Sequence, residues 1–135
     1  MGRGESTACA SGGAIYGLPP MSDLIYKICP QTLWRAAAAA GRFDGAPVDL
    51  ADGFIHFSSG EQLRETAARH FAGQGELLLI TVDPSALGGV LRWEPSRGGA
   101  LFPHLYSPLP ISAVLRVEAL PVGPDGAHVF PASIP

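Results

Sequence analysis

Two short apolar stretches of this sequence carry polar side chains that a simple core strand does not need. In the first, residues 52–59, an extended chain places Phe54, His56 and Ser58 on one face. An imidazole beside hydroxyl groups is typical of sites that transfer protons or hold polar ligands. A single strand histidine is also a common hydrogen-bonded core or rim residue, so a structural interpretation of His56 stays open beside the functional one.

The second stretch, residues 101–110, repeats this pattern. Phe102, His104 and Tyr106 share a face if the chain is extended there. Pro103 has no N–H to give to a β-ladder, so we expect an edge strand or an extended wall segment. A phenol and a second imidazole close to the first could position a substrate through hydrogen bonds.

A charged strand is predicted directly before the second stretch. It places Arg92 and Glu94 on one face and Trp93 on the other. Glu94 could act as a base or stabilise positive charge that develops on a substrate. The alternative is a solvated strand whose charges pair with Arg97 or Arg116.

These residues, together with Lys27 in the first predicted strand, define a candidate cleft. The candidate catalytic residues are His56, Glu94 and His104, and the candidate ligand-binding residues are Lys27, Trp34, Ser58, Ser59, Arg92, Trp93, Phe102 and Tyr106. Simpler roles remain open for some of them: Lys27 as an edge-strand lysine that reaches solvent, Trp34 as a core side chain, and one serine as a helix cap.

Three familiar kinds of site lack their sequence patterns here. No Gly-x-Ser-x-Gly turn supports a Ser-His-Asp hydrolase. A metal site built from His56, Glu94 and His104 has no His-x-x-x-His spacing behind it. Neither a Gly-x-Gly-x-x-Gly nor a P-loop pattern marks a phosphate-binding loop. The residues therefore favour a cleft that positions a small molecule by hydrogen bonds, and they identify no metal or cofactor with certainty.

The hydrophobic pattern predicts a single α+β domain over residues 21–122. Strands are predicted at 24–29, 52–59, 76–83, 90–94, 101–110 and 111–120. The strand at 76–83 is expected to be central because it is apolar on both faces. Two main helices are predicted: one at 33–40 that stops at Gly41, and one that starts at the capping boxes of Ser58 and Ser59 and ends near residue 72. Residues 42–51 are predicted to be a loop, and the order of elements favours a mixed or antiparallel sheet.

Composition narrows the setting of this domain. The 135 residues, of which 47% are hydrophobic and 16% charged, can form one sizeable core. A net charge of -3 argues against general binding to nucleic acid or anionic membranes. No apolar run approaches the roughly 20 residues of a bilayer span. The sequence leaves the oligomeric state open.

The two ends of the chain and its cysteines carry three further expectations. Residues 1–20 lack the apolar core of a secretory signal and are predicted to be a disordered extension, with Met21 as the natural start. Residues 123–135 are predicted to be a tail with at most a weak strand. Cys9 and Cys29 are predicted to be free thiols in a reducing cytoplasm.

Four motifs, in order, make the chain resemble a known bacterial family. They are Ile25-Tyr26-Lys27-Ile28, Gly53-Phe54-Ile55-His56-Phe57-Ser58, Leu91-Arg92-Trp93-Glu94 and Phe102-Pro103-His104-Leu105-Tyr106. On these motifs the chain is identified as a member of the bacterial domain-of-unknown-function family 952, and the resemblance covers about residues 24–120. The family implies a small cytoplasmic α+β domain without an assigned activity.

This family is similar, at a distance, to the ADP-ribosyltransferase-like fold, in which a split β-sheet encloses a NAD cleft. The resemblance implies NAD or an ADP-ribosylated compound as the ligand, with Lys27 at the first-strand site, His56 and Ser58 at the second, and Glu94 at the catalytic position. Lys27 departs from the family, which often has a histidine there, and a lysine ammonium cannot accept a hydrogen bond from a ribose hydroxyl.

Two functional hypotheses follow, and the sequence does not decide whether the protein is an enzyme. In the first, the protein is an enzyme or nucleotide binder of this kind. In the second, it is a non-catalytic small-ligand-binding or protein-interaction module whose polar residues form a structural network.

Overall fold

The computed structural model describes residues 24–96 and 99–134, and within them nine strands and three helices. The strands are β1 (Ile25–Pro30), β2 (Arg42–Phe43), β3 (Ile55–His56), β4 (Ser58–Ser59), β5 (Leu77–Val82), β6 (Leu91–Pro95), β7 (Leu101–Leu105), β8 (Leu109–Pro110) and β9 (Val114–Leu120). The helices are α1 (Gln31–Ala40), α2 (Pro47–Asp52) and α3 (Leu63–His70). The predicted α+β class is confirmed.

A four-stranded antiparallel sheet in the order β4-β1-β5-β9 forms the centre of the fold. One face packs in a core cluster that includes Ile25 and Ile80, and the other packs in a second cluster that includes Leu79 and Leu63 of α3. A strand with two apolar faces belongs inside a sheet that is covered on both sides. The prediction that the strand at 76–83 is central is therefore confirmed.

A second antiparallel sheet, in the order β3-β7-β6, carries most of the polar candidates. The chain changes sheets within residues 52–59, because β3 pairs with β7 and β4 pairs with β1. Phe57 lies between these two strands, buries its ring and donates its N–H to the carbonyl of Pro103 at 3.0 Å. The predicted continuous strand is thus two short ones, and the sheet is split at Phe57.

The prediction that Pro103 marks an edge strand is wrong, because β7 is the middle strand of its sheet. A residue in a strand directs its N–H and its carbonyl to the same side. The carbonyl of Pro103 accepts the N–H of Phe57, so the missing N–H faces the point where β3 has already ended. The proline therefore costs neither neighbouring strand a ladder hydrogen bond.

The loop predicted at 42–51 is also wrong, since it contains most of α2. This helix starts with a proline, and the carboxylate of Asp49 in its first turn accepts the N–H of Ala46 at 2.7 Å. A proline at the first position and an acid two residues later both favour the start of a helix. The helix ends at Gly53, whose φ is 87°.

The predicted start of the second main helix at Ser58 and Ser59 is wrong as well. Both serines form β4, and α3 begins at Leu63 after a turn. One half of the predicted capping box does exist, because the N–H of Ser59 donates to the side-chain oxygen of Gln62 at 3.0 Å. Pairing of β4 with β1 keeps the two serines out of the helix.

The first main helix and the last strand lie close to their predicted positions. α1 ends at Gly41, where a φ of 87° fits the predicted stop. Trp34 of α1 is buried against Phe43, with the ring centroids 5.8 Å apart. β9 starts at Val114, later than predicted, because Ile111–Ala113 form a turn of 3-10 helix. β8 pairs with β2 as a separate two-stranded ribbon.

The ends of the described chain contribute little to the site. Beyond β9, Val122 and His128 form an isolated bridge, and Ile134 is buried in the second core cluster. Cys29 is a buried free thiol, and burial raises its pKa to about 11. No helix in residues 24–96 or 99–134 is long and apolar enough to cross a membrane. The predicted 1–20 extension, with Cys9, and the predicted start at Met21 lie outside the described residues.

Gly53, at the end of α2, gives a test of the backbone geometry. Its φ is 87°, and a Cβ placed on it would meet no atom within 4 Å. Gly53→Ala therefore changes only the backbone energy, and we expect it to lower the free energy of unfolding in urea by about 1 kcal/mol. Gly75→Ala is the control, since Gly75 has the same open space without a positive φ, and it should be neutral or stabilising. Equal losses in the two variants would contradict this account of α2.

Candidate functional site

The register of the three-stranded sheet gathers the polar candidates on one face. His56 of β3 lies opposite His104 of β7, and His104 lies opposite Arg92 of β6. Because side chains alternate along a strand, Glu94 and Tyr106 share this face. The structure therefore brings together the three residues that the sequence nominated for catalysis, His56, Glu94 and His104.

His104 and Glu94 form an imidazole–carboxylate pair. The Nδ1 of His104 donates to the Oε1 of Glu94 at 2.8 Å, and the hydroxyl of Tyr106 donates to the same oxygen at 2.7 Å. The hydrogen bonds from Tyr106 and His104 lower the pKa of Glu94, and the bond to Glu94 raises the pKa of Tyr106. A neutral His104 that donates from Nδ1 has a lone pair at Nε2, and no described residue supplies a hydrogen-bond partner for that atom.

Aromatic contacts hold the two imidazoles in place. The ring of Phe54 stacks on His104 with centroids 4.1 Å apart and lies 4.6 Å from the ring of His56. The two imidazole rings are 5.7 Å apart and cross at 68°. The guanidinium of Arg92 lies 5.2 Å from the ring centroid of Tyr106. A rigid aromatic frame therefore surrounds the imidazole–carboxylate pair.

The alternative in which Glu94 pairs with a distant arginine is wrong for one of its two partners. Arg116 lies 4.0 Å from Glu118 on its own strand, whereas Glu94 is engaged by His104 and Tyr106. The other partner, Arg97, lies outside the described residues.

Asp49, which is not among the predicted site residues, is a buried carboxylate that binds His56 and Lys27. Asp49 of α2 is 1% exposed and accepts hydrogen bonds from the N–H of Ala46, the N–H of His56 and the Nδ1 of His56, the last at 2.6 Å. Burial alone would raise the pKa of Asp49, but the hydrogen bond from His56 and the charge of Lys27 outweigh it and lower the pKa to about 2. The sequence feature that could have indicated Asp49 is the helix start after Ala46, where a proline is followed two residues later by this acid.

Lys27 is the cation that balances Asp49. Its Nζ lies 3.1 Å from the Oδ2 of Asp49 and donates to the carbonyl of His56 at 2.9 Å. Lys27 is 7% exposed and lies on an inner strand, so the interpretation of an edge-strand lysine that reaches solvent is wrong. A buried charge persists only with an opposite charge and hydrogen bonds nearby, and Asp49 and His56 supply both.

His56 lies between two carboxylates of the same helix. Its Nδ1 faces the Oδ1 of Asp49, and its Nε2 is 3.0 Å from the Oδ2 of Asp52. A neutral imidazole has one N–H and can donate to only one of these groups, whereas an imidazolium donates to both. The orientation of the His56 ring is thus set by Asp49 and Asp52, which both belong to α2.

A cavity of about 510 Å³ opens beside these groups. Its polar lining comprises Lys27, Asp52, His56, Ser58, Thr66, His70, Ser96 and His104, and its aromatic lining comprises Tyr26, Phe57, Phe71 and Phe102. The hydroxyls of Ser58 and Thr66 lie 3.0 Å apart within it. This volume and this mixture of aromatic walls with a few converging polar groups are typical of small-molecule sites.

Five of the predicted ligand-binding residues are not part of the cavity lining. Trp34 is a core side chain, and Trp93 lies on the opposite face of β6 from Glu94, half exposed to solvent. Ser59 contributes its N–H to Gln62. Tyr106 donates to Glu94 from outside the cavity, and Arg92 lies over the ring of Tyr106. Three of the eight predicted ligand-binding residues, Lys27, Ser58 and Phe102, do line the cavity.

The carboxylates and imidazoles of the site are arranged as hydrogen-bonded pairs. Across residues 24–96 and 99–134, no group of three or more His, Cys, Asp or Glu side chains is placed to hold a metal ion. The histidine nitrogens that face Asp49, Asp52 and Glu94 are committed to those carboxylates. What this arrangement can do is accept or donate protons and hold a polar ligand.

Comparison with known proteins gives a family model and solved structures. Residues 28–117 match the family described as "Protein of unknown function (DUF952)". The crystal structure of protein CC0527 from Caulobacter crescentus is 56% identical, with a TM-score of 0.76, and the match covers 78% of this chain and 93% of that one. The solution NMR structure of CC0527 is 57% identical, with a TM-score of 0.71 over 77% of this chain and 90% of that one. No curated protein matches the chain.

Substitution of Asp49 tests whether the buried pair holds the fold together. Asp49→Asn leaves the buried ammonium of Lys27 without a countercharge, and we expect the free energy of unfolding in urea to fall by about 3–5 kcal/mol. Asp44→Asn is the matched control, because Asp44 pairs with Arg42 while half exposed, and it should cost less than about 1 kcal/mol. A loss below about 1 kcal/mol for Asp49→Asn would show that the Lys27–Asp49 pair is not needed for the stability of the fold.

The lowered pKa of Asp49 gives a separate prediction for pH. Its pKa falls from 3.8 to about 2 on folding, so the ionised carboxylate stabilises the fold above about pH 4. That contribution, about 2 kcal/mol, is lost as the pH falls from about 4 to about 2. Urea unfolding between pH 2 and pH 5 should show this slope in the wild-type protein and a shallower one in Asp49→Asn. Parallel pH profiles of the two proteins would contradict the assignment.

Proposed function

Because this chain belongs to the DUF952 family, whose description assigns no activity, we propose a function from the geometry of its site. The protein binds a small ligand of the NAD or ADP-ribose type in the 510 Å³ cavity, and His104 with Glu94 performs acid–base chemistry on it. The observation that carries this proposal is the pairing of His56 opposite His104 on one cavity wall, with each imidazole held by a carboxylate through Nδ1. Its site of action is the cytoplasm.

The carboxylate behind His104 favours base catalysis at the cavity. Glu94 holds His104 so that a neutral ring presents its Nε2 lone pair, and it stabilises the imidazolium that forms when Nε2 takes a proton. Tyr106 donates to the same oxygen and keeps Glu94 ionised, which is the state this role requires. A positioned general base of this kind contributes about 10²–10⁴-fold to a rate.

With NAD as the substrate, the reaction is cleavage of the bond between ribose and nicotinamide. That bond breaks with its electron pair leaving on the nicotinamide, which becomes neutral. The oxygen of water or of an acceptor hydroxyl bonds to the ribose carbon, and its proton passes to Nε2 of His104. Lys27 takes no direct part in this scheme, because Asp49 and the carbonyl of His56 already occupy it.

The test separates binding from turnover with one conservative variant. Glu94→Gln keeps an acceptor for His104 and Tyr106 but removes the negative charge. We expect NAD binding, measured by calorimetry, to stay within about threefold, while nicotinamide release falls by about 10²-fold or more. The control is Glu118→Gln, whose side chain is 32% exposed against 33% for Glu94, lies on β9 and does not line the cavity. Equal nicotinamide release by the two variants would refute the catalytic role, and absence of NAD binding by the wild-type protein would refute the ligand class.

A second candidate function has its own observation. Asp49 is fully buried and satisfied by Lys27, His56 and the N–H of Ala46, as expected of a structural network rather than of a catalyst. On this hypothesis the protein is a non-catalytic ligand-binding module. Binding of NAD or ADP-ribose without any release of nicotinamide would favour it over the first.

A further inference from the structure

The charges around the cavity carry information about its ligand. Among the described residues that line it, Lys27 is the only side chain with a permanent positive charge, and Asp49 neutralises it at 3.1 Å. Asp52 also lines the cavity, and its carboxylate is 48% exposed. Glu94 adds a second negative charge behind His104, and the guanidinium of Arg92 beside it adds one positive charge. The permanent charges next to the open space therefore sum to a negative value.

The lining is also rich in aromatic side chains. Tyr26, Phe57, Phe71 and Phe102 line the cavity, and they come from both sheets and from the end of α3. Aromatic rings attract an organic cation that lies within about 6 Å of the ring centroid, and the attraction grows where water is excluded. The faces of these rings attract no phosphate group, which is anionic and binds through hydrogen-bond donors and cations.

We propose that the cavity selects a planar aromatic cation, with Asp52 recognising its charge and the aromatic lining holding its ring. The inference rests on the proposed ligand-binding function and narrows its substrate class. A ligand that carries both a cationic ring and phosphates enters with the ring, and its phosphates stay outside the cavity. Asp52 suits this role because its Oδ2 faces the Nε2 of His56 at 3.0 Å, while its other oxygen has no partner among residues 24–96 and 99–134.

The experiment uses a cation and its neutral isostere as probes. 1-Methylpyridinium-3-carboxamide and 3-methylbenzamide have the same shape and differ by one positive charge. We expect the ratio of their affinities, measured by NMR titration of the full chain, to favour the cation by about tenfold at low salt and to shrink as salt is added. Shifts of the methyl signals of Val48 and Thr66, which line the cavity, locate the bound probe.

A matched pair of variants assigns the selectivity to Asp52. Asp52→Asn should reduce the cation-to-neutral affinity ratio by about fivefold to tenfold. Asp125→Asn makes the same change in net charge at the separate groove beside α3, and it should leave the ratio unchanged. A ratio near one in the wild-type protein, a ratio that survives Asp52→Asn, or failure of both probes to bind would overturn the inference.

A further arm separates this inference from the proposed function. ADP-ribose, which has phosphates and no cationic ring, should not displace the pyridinium probe from the cavity. If ADP-ribose displaces the probe, the inference falls while the proposed ligand class stands. If NAD itself fails to bind, both fall together.

Discussion

The ion pair between Asp49 and Lys27 is the constraint on which the site depends. Lys27 is placed on an inner strand of the central sheet, where an unpaired ammonium would be strongly destabilising. Asp49 meets that need from α2, and the same carboxylate then receives both the N–H and the Nδ1 of His56. One buried negative charge therefore joins the central sheet, the short helix and the strand that carries the first imidazole. The orientation of His56 therefore depends on a carboxylate that the core needs to balance the charge of Lys27, as well as on the exposed carboxylate of Asp52.

The two imidazoles of the site differ in how many of their ring nitrogens face a carboxylate. Both ring nitrogens of His56 face carboxylates, Nδ1 that of Asp49 and Nε2 that of Asp52. His104 is held by Glu94 through Nδ1 alone, and the stacked ring of Phe54 fixes its plane. A preorganised group with one open atom can act on a ligand without first breaking a bond to the protein. The geometry thus leaves the Nε2 of His104, but neither ring nitrogen of His56, without a partner among the described residues.

Much of this arrangement is written in local sequence patterns. Alternation along strands predicted that His56 shares a face with Phe54, Arg92 with Glu94, and His104 with Tyr106. The pairing of β3, β7 and β6 brings these three pairs to one side. The central strand was predicted from its two apolar faces, and the end of α1 was predicted from Gly41. What local patterns could not supply was strand order: only the pairing shows that β7 is central and that Pro103 is harmless there. Asp49 was missed because a six-residue helix with turn residues before it has too little periodicity to be recognised, and its partner Lys27 lies 22 positions away.

The crossing of the chain at Phe57 has a mechanical consequence for the cavity. His56 belongs to one sheet and Ser58 to the other, with a single residue between them, and both line the same space. The two sheets are therefore joined by the backbone of Phe57 at the cavity wall, and the hydrogen bond from Lys27 to the carbonyl of His56 joins them beside it. Sliding of one sheet over the other is limited at Phe57 by peptide geometry, which is far stiffer than van der Waals contact. The imidazole wall is therefore the part of the cavity whose width the backbone itself constrains.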